Sequence, residues 1–507
     1  MRRTHARSPG GAAPLPALGP PGGPVGPGLR RLAALGLLAI ASASPTTGAL
    51  AQDEGPSMLV PDLRVEPVVG GLTTPIGLAF LGEDDFLVLE KDTGRVLRVV
   101  GGAVDSTVLD LAVNSASERG LLSIALDPDF PEDPGVYLYW TESTSGADSG
   151  DVAQTPLLGN RVDRFSWDGS TLAFEYNLIR IRALQVDAGQ PGRGNHDGGV
   201  IRFGPDGMLS IIIGDLGRRG QMQNLRFGPT VLDAPVPDDQ FGGPGPDDAH
   251  LSGVILRVDE QGQAPPDNPF FAVGASLGGE VGANIQKLFG YGVRNSFGMA
   301  FDPETGLLWT QENADDAFSE LNLVGPGFNG GWIQVMGPID RIRQFKLIEA
   351  TMFGGAMQQI RWPPILIAYT PRLVLSRLFL LPGAEYTDPA FSWKFEVAPA
   401  GIAFVEGDGL GPDYEGDLLV GASRPFLAGG YLFRFDMNED RDGFDFDDPR
   451  LDDGVADNLD KHEGTESESL LIGRDFGIGT DIQNGPDGFV YVVSLSLGTV
   501  YRILPAE

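Results

Sequence analysis

Four histidines occur in the 507 residues, and His196 stands out among them because of its surroundings, Asn195-His196-Asp197-Gly198-Gly199. Imidazole is the side chain whose ordinary pKa suits proton abstraction near neutrality. Asp197 or Asn195 is placed to orient such a base. Three further polar pairs, Glu118-Arg119, Arg294-Asn295 and Thr480-Asp481, stand like Asn195-His196 just before an apolar run. Polar groups that converge in a concavity define a ligand site. Glu118 and Asp481 also admit a reading as a hydrolytic carboxylate pair. The chain has no cysteine, which rules out disulfides, thiolate metal sites and a cysteine nucleophile.

The apolar runs that follow these pairs are parts of a repeat. Six times the chain writes a small residue, an alternating apolar strand, a Pro/Asp/Gly turn and a second strand. The copies open at Ile76, Leu122, Gly199, Phe297, Gly401 and Asp481, with turns such as Asp127-Pro128-Asp129, Gly204-Pro205-Asp206-Gly207 and Gly485-Pro486-Asp487-Gly488. Proline fixes φ and glycine permits positive φ, so these turns reverse the chain between paired strands. Repeated strand pairs without helical periodicity predict an all-β, six-bladed β-propeller, in which radial closure protects the sheet edges. If each phrase opens a blade's innermost strand, the polar pairs lie at the rim of the central channel. Inserted loops are expected at 225–250 and 340–395, with a short helix within Ile339–Trp362, where apolar residues fall at helical intervals.

Residues 1–51 read as an export signal: five arginines and no acid, an apolar run from Leu32 to Ala43, then Ala49-Leu50-Ala51. Arg30-Arg31 permits twin-arginine export. Residues 52–507 are then the propeller, secreted or periplasmic, with no membrane span expected. Removing the leader leaves 31 basic residues against 69 acids, a formal charge of −38. That charge disfavours nucleic acid and anionic lipid and favours cations.

In order along the chain, the phrases resemble the soluble quinoprotein glucose dehydrogenase/sorbosone dehydrogenase family. The matching segments are Glu118–Leu122 running into Asp127–Phe130, His196–Gly207, Gly214-Asp215, Leu256-Arg257, Pro266–Pro269, and Arg294-Asn295 through Glu312 to Glu320–Asn322. Asn329–Trp332, Ala398-Pro399 with Gly401, and Gly485–Gly488 complete the set. The resemblance implies a propeller that binds pyrroloquinoline quinone (PQQ) through Ca²⁺ and oxidises a sugar, aldose or related alcohol, passing electrons to an external acceptor. By position, it makes His196 the general base and Arg294 the cation that polarises the quinone. Asn295, Gln221, Glu118 and Arg424 fall among the cofactor contacts, and the carbonyls of Ala314 and Asp315 fall at the cofactor calcium. Glu320, the Gly330 carbonyl and Asp340 match a second, structural calcium site. Glu118 stands where the glucose enzymes place a glutamine and Arg424 where they place a lysine. The arginine pair expected before the last repeat is replaced by Ile478-Gly479-Thr480-Asp481.

One motif lies outside the resemblance. Asn438, Asp440 and Asp442, followed by Gly443, have the spacing of an acidic calcium loop. The alternative to a dehydrogenase is a non-catalytic, calcium-stabilised propeller that binds carbohydrate or protein through the same channel.

Overall fold

In the repeat phrases, Pro/Asp/Gly turns alternate with strands rich in β-branched and aromatic residues, and the computed structural model folds them into antiparallel sheets. It describes residues 55–184, 194–217, 251–352, 368–423 and 429–506, all within the unit Thr47–Glu507. The expected leader therefore lies outside the described residues, as do Gln221, Arg424 and the 225–250 insertion.

The described strands form six sheets in a propeller arrangement. Their first strands are Pro75–Gly82, Leu121–Leu126, Val200–Phe203, Met299–Phe301, Pro399–Phe404 and Gly479–Asn484. Each of these packs against the first strand of the next sheet, and Gly479–Asn484 packs back against Pro75–Gly82. Second strands such as Gly135–Thr141 and Val490–Ser494 are buried along their whole length. A strand covered on both faces needs a continuous apolar run rather than alternation, and Val-Tyr-Leu-Tyr-Trp and Val-Tyr-Val-Val supply one.

The turns act as their residues require. At Gly204–Gly207, the Asp206 carboxylate accepts from the Met208 amide at 3.0 Å, while Gly207 takes φ 73°. The Leu63–Gly70 strand, near the start of the described chain, pairs antiparallel with the C-terminal Thr499–Pro505 strand, from Leu63 opposite Pro505 to Gly70 opposite Thr499. One sheet is thus built from both ends of the described chain.

The sheets are not uniform. Phe328–Asn329 and Glu385–Tyr386 add to the third sheet in parallel, and Val455–Ala456 adds to the fourth. The helix expected within Ile339–Trp362 is Ile342–Thr351, preceded by a 3-10 turn, Ile339–Arg341. It buries Ile342, Phe345, Ile348 and Glu349, positions that share one face. Three other short helices, Phe271–Leu277, Gly279–Gln286 and Pro371–Arg377, were not anticipated. The last had a legible start, because Thr370 caps it through the Leu373 amide and Pro371 follows.

Candidate functional site

His196 lies just before the first strand of the third sheet, and its backbone is left-handed at φ 63°, followed by Gly198 at 59° and Gly199 at 91°. A non-glycine residue in that region stores strain of about 1–3 kcal/mol and persists only where its surroundings fix it. Gly214 provides part of that fixing. A Cβ there would fall 2.4 Å from the His196 carbonyl oxygen and 2.6 Å from that of Arg294, so only glycine lets the two loops close around Asp215. The Asp215 amide donates to the Arg294 carbonyl at 2.8 Å.

Asp215, not Asp197 or Asn195, is the residue paired with the His196 ring. His196 Nδ1 lies 2.7 Å from Asp215 Oδ1, with the two side chains 4% and 0% exposed. The carboxylate also accepts from the Gly217 amide at 2.8 Å and from Trp332 Nε1 at 2.9 Å. A carboxylate ringed by donors stays an acceptor, so Nδ1 carries the imidazole proton and Nε2 is the basic nitrogen. Asp197 turns to the second sheet instead. Its Oδ1 accepts from Asn160 Nδ2 at 2.9 Å and lies 3.9 Å from Arg119 Nε. Burial pushes the Asp197 pKa up to about 7, against the pull of Arg119. Arg119 is itself fully buried and donates to the carbonyls of Ala183 and Val152, so it serves packing rather than the rim.

Arg294 is 4% exposed and spreads its guanidinium 5.5 Å from the centre of the Trp332 ring. Nη1 donates to the Asn313 carbonyl at 2.8 Å and Nη2 to Asp315 Oδ1 at 2.7 Å. Burial alone would lower its pKa, but the carboxylates of Asp315, Asp215 and Glu118 outweigh that and hold it above the ordinary value. Glu118 ties the base to this half of the site, since its Oε2 accepts from the His196 amide at 2.6 Å and from Asn295 Nδ2 at 3.1 Å. Arg294 Nε and Asn295 Oδ1 are buried without a hydrogen-bond partner among the described residues.

Asp481 behaves differently. Its two oxygens accept from the Leu78 amide at 3.0 Å and from Arg202 at 2.7 Å. Both Glu118 and Asp481 therefore spend their carboxylates on neighbouring groups, which leaves the hydrolytic pair without support.

The cation expectations change most. Lys461 Nζ donates to the Asp315 carbonyl at 2.8 Å and forms an ion pair with Asp316. A calcium at that carbonyl does not fit this arrangement, because an ammonium already fills the place. Beneath the same loop, Glu349 Oε1 accepts from the amides of Asp316 and Ala317 at 3.1 and 3.2 Å. Burial and the charges of Asp315 and Asp316 raise its pKa well above the carboxylate range. Ala314, next along the loop, is buried.

At the second expected calcium site, Glu320 already accepts from the Gly337 amide and from Asn322 Nδ2. Burial, aided by the Asp388 carboxylate, pushes its pKa up to about 7. Asp340 is exposed on the 3-10 turn and Gly330 is buried. The acidic loop closes on itself, with Asn438 Nδ2 donating to Asp442 Oδ1 at 3.0 Å and the Asp442 amide to Asn438 Oδ1 at 3.1 Å. Asp440 lies between them in the turn. Among the described residues, no group of three or more His, Asp or Glu is arranged to hold a metal ion.

The chain is similar to known sugar dehydrogenases. The aldose sugar dehydrogenase of Escherichia coli is 24% identical over 446 residues, 87% of this chain and 93% of that protein. Quinoprotein glucose dehydrogenase B of Acinetobacter calcoaceticus is 27% identical over 277 residues, 53% of this chain and 52% of that one. A solved structure from Thermus thermophilus, a putative oxidoreductase (glucose dehydrogenase), superposes with a TM-score of 0.54 at 27% identity, covering 87% of this chain and 100% of the other. The glucose/sorbosone dehydrogenase family model matches residues 72–341 and 378–502, and the chain belongs to that family.

Proposed function

We propose that this protein oxidises a hydroxyl of a sugar, aldose or related alcohol, with PQQ as the hydride acceptor. The observation that carries the reading is the continuous link His196–Asp215–Trp332–Arg294, which joins an oriented base to a buried cation. The base and the cation match the two demands of the reaction. His196 Nε2 takes the hydroxyl proton, and Asp215 stabilises the imidazolium that results. Arg294 offers a buried Nε–H and a fixed positive charge to a developing oxyanion. Asn295 Oδ1 offers an unused acceptor beside it. These orphaned polar atoms suit a flat polar cofactor, and Arg294 and Asn295 are the residues that would hold it. PQQ, when bound, supplies the two-electron sink for the hydride leaving the carbinol carbon. The name of the Acinetobacter relative, a quinoprotein, supports that choice.

The six sheets and the cyclic packing of their first strands support a six-bladed propeller over residues 52–507. The basic leader and apolar run support export to the periplasm or beyond. No described helix is long and apolar enough to cross a membrane. Electrons then leave to an external acceptor.

The test is titration of the purified, quinone-free protein with PQQ, followed by dye reduction across a panel of sugars and alcohols. Saturable binding with sugar-dependent turnover is expected. A folded protein that binds no quinone at micromolar concentration sinks the reading and leaves a ligand-binding propeller.

A further inference from the structure

Lys461 lies in the segment between the Val455–Ala456 and Leu471–Arg474 strands, outside every repeat phrase. The fold nevertheless brings it to Asp315, 146 positions earlier. Its side chain is 16% exposed, and its ammonium sits among oxygens: the Asp315 carbonyl at 2.8 Å and the Asp316 carboxylate. The buried Glu396 carboxylate is close enough to feel its charge, and the Glu396 amide donates to the Asp316 carbonyl at 3.3 Å. His462 Nε2 lies 3.2 Å from Glu396 on the other side.

A carbonyl and a carboxylate are oxygen donors of the kind a hard cation takes, and here an ammonium lies against both. Calcium would need to approach the same carbonyl to about 2.3–2.6 Å, into space and charge the lysine already occupies. The arginine pair that the family resemblance expects before the last repeat is absent, with Thr480 and Asp481 in its place.

We propose that Lys461 is the built-in cation of this site, replacing the calcium that the family resemblance assigns to the Asp315 carbonyl. The cofactor half of this proposal rests on the PQQ reading above. The cation half does not, since it concerns only what the oxygen cage accepts.

Both halves are tested together on the chelator-treated full chain, using wild type, Lys461→Ala, Lys461→Met and Lys461→Arg. Bound calcium is counted by equilibrium dialysis, thermal melting is followed with and without Ca²⁺, and PQQ affinity is measured with and without chelator. The expected result is one additional calcium per chain in Lys461→Ala, a calcium-dependent rise in its melting temperature, and PQQ binding that weakens at least tenfold on chelation. Wild type and Lys461→Arg should bind the quinone equally well with and without chelator. Lys461→Met, which keeps the apolar stem, serves if the alanine variant does not fold. Equal calcium counts in folded wild type and neutral variants overturn the proposal, as does a tenfold loss of wild-type quinone affinity on chelation. If no form binds PQQ, the functional reading fails while the calcium count still decides the role of Lys461.

Discussion

Two carboxylates near the first strands of the sheets are used in two ways. Before the second sheet's first strand, Glu118 reaches to the His196 amide and the Asn295 side chain. At the sixth sheet, Asp481 turns to the Leu78 amide, 403 positions away, and to Arg202. Glu118 lies three positions before the Leu121–Leu126 strand, whereas Asp481 lies inside Gly479–Asn484. Glu118 joins residues that can do chemistry, whereas Asp481 fastens the last sheet to the first. A carboxylate just outside a first strand can thus serve the site, while one inside the strand holds neighbouring sheets together.

The largest expected effects exchange places between these two regions. His196→Ala removes the base and should lower kcat/KM by about 10²–10⁴-fold while leaving the melting temperature within a degree or two. Asp481→Ala should leave kcat/KM within a few-fold. It strands the Leu78 amide and the Arg202 guanidinium, at a cost of roughly 2–4 kcal/mol in stability, the lower end applying because Arg202 is 22% exposed. Parallel steady-state assays and denaturant titrations check both. If Asp481→Ala abolishes turnover without loss of stability, the distinction between the two regions collapses.

The same contrast explains how much could be read beforehand. The strands, their turns and the rim positions were legible because each repeat writes them locally. His196 was legible because histidine is rare in this chain, and Arg294 and Asn295 because they hold the equivalent rim place. Asp215 was missed although a signal existed. The hairpin pairs Val200 with Ile212, and extending that register past the strand ends puts residue 216 opposite His196, with Asp215 beside it. Adjacency in sequence favoured Asp197, but successive residues leaving a strand face opposite ways, and Asp197 points at Asn160 and Arg119. Lys461 and Glu349 had no such signal. Both come from insertions outside the repeat, and only tertiary packing carries them to the Asp315 loop.

Asp197 sharpens the comparison at the next level of effect. Its pKa rises from 3.8 to about 7 on folding, chiefly through burial. The folded chain therefore holds a proton there that the unfolded chain gives up, so this group's contribution to stability is greatest below pH 3.8 and is lost as the pH rises through about 7. Asp197→Asn stays neutral throughout. Its stability relative to wild type should improve by about 2–3 kcal/mol between pH 5 and pH 8, read from denaturant midpoints at several pH values. Turnover should persist, because the carboxylate paired with the His196 ring is Asp215. A variant-minus-wild-type difference that does not change with pH would show that Asp197 is ionised and paired in the fold.

The smallest effect probes the link between the base and the cation. Trp332 Nε1 donates to Asp215 Oδ2 at 2.9 Å, while its ring lies 5.5 Å from the Arg294 guanidinium. Trp332→Phe keeps an aromatic face for the cation but removes this donor, while His196 Nδ1 and the Gly217 amide still reach Asp215. Losing one hydrogen bond to a buried carboxylate costs about 1–3 kcal/mol, and the donors that remain favour the lower end. A roughly five- to tenfold fall in kcat is expected at about 1.4 kcal/mol per tenfold, with quinone affinity nearly unchanged. If instead affinity falls and kcat holds, Trp332 serves the cofactor through Arg294 rather than the base through Asp215. The two halves of the site would then be joined through Glu118, which touches both the His196 backbone and Asn295.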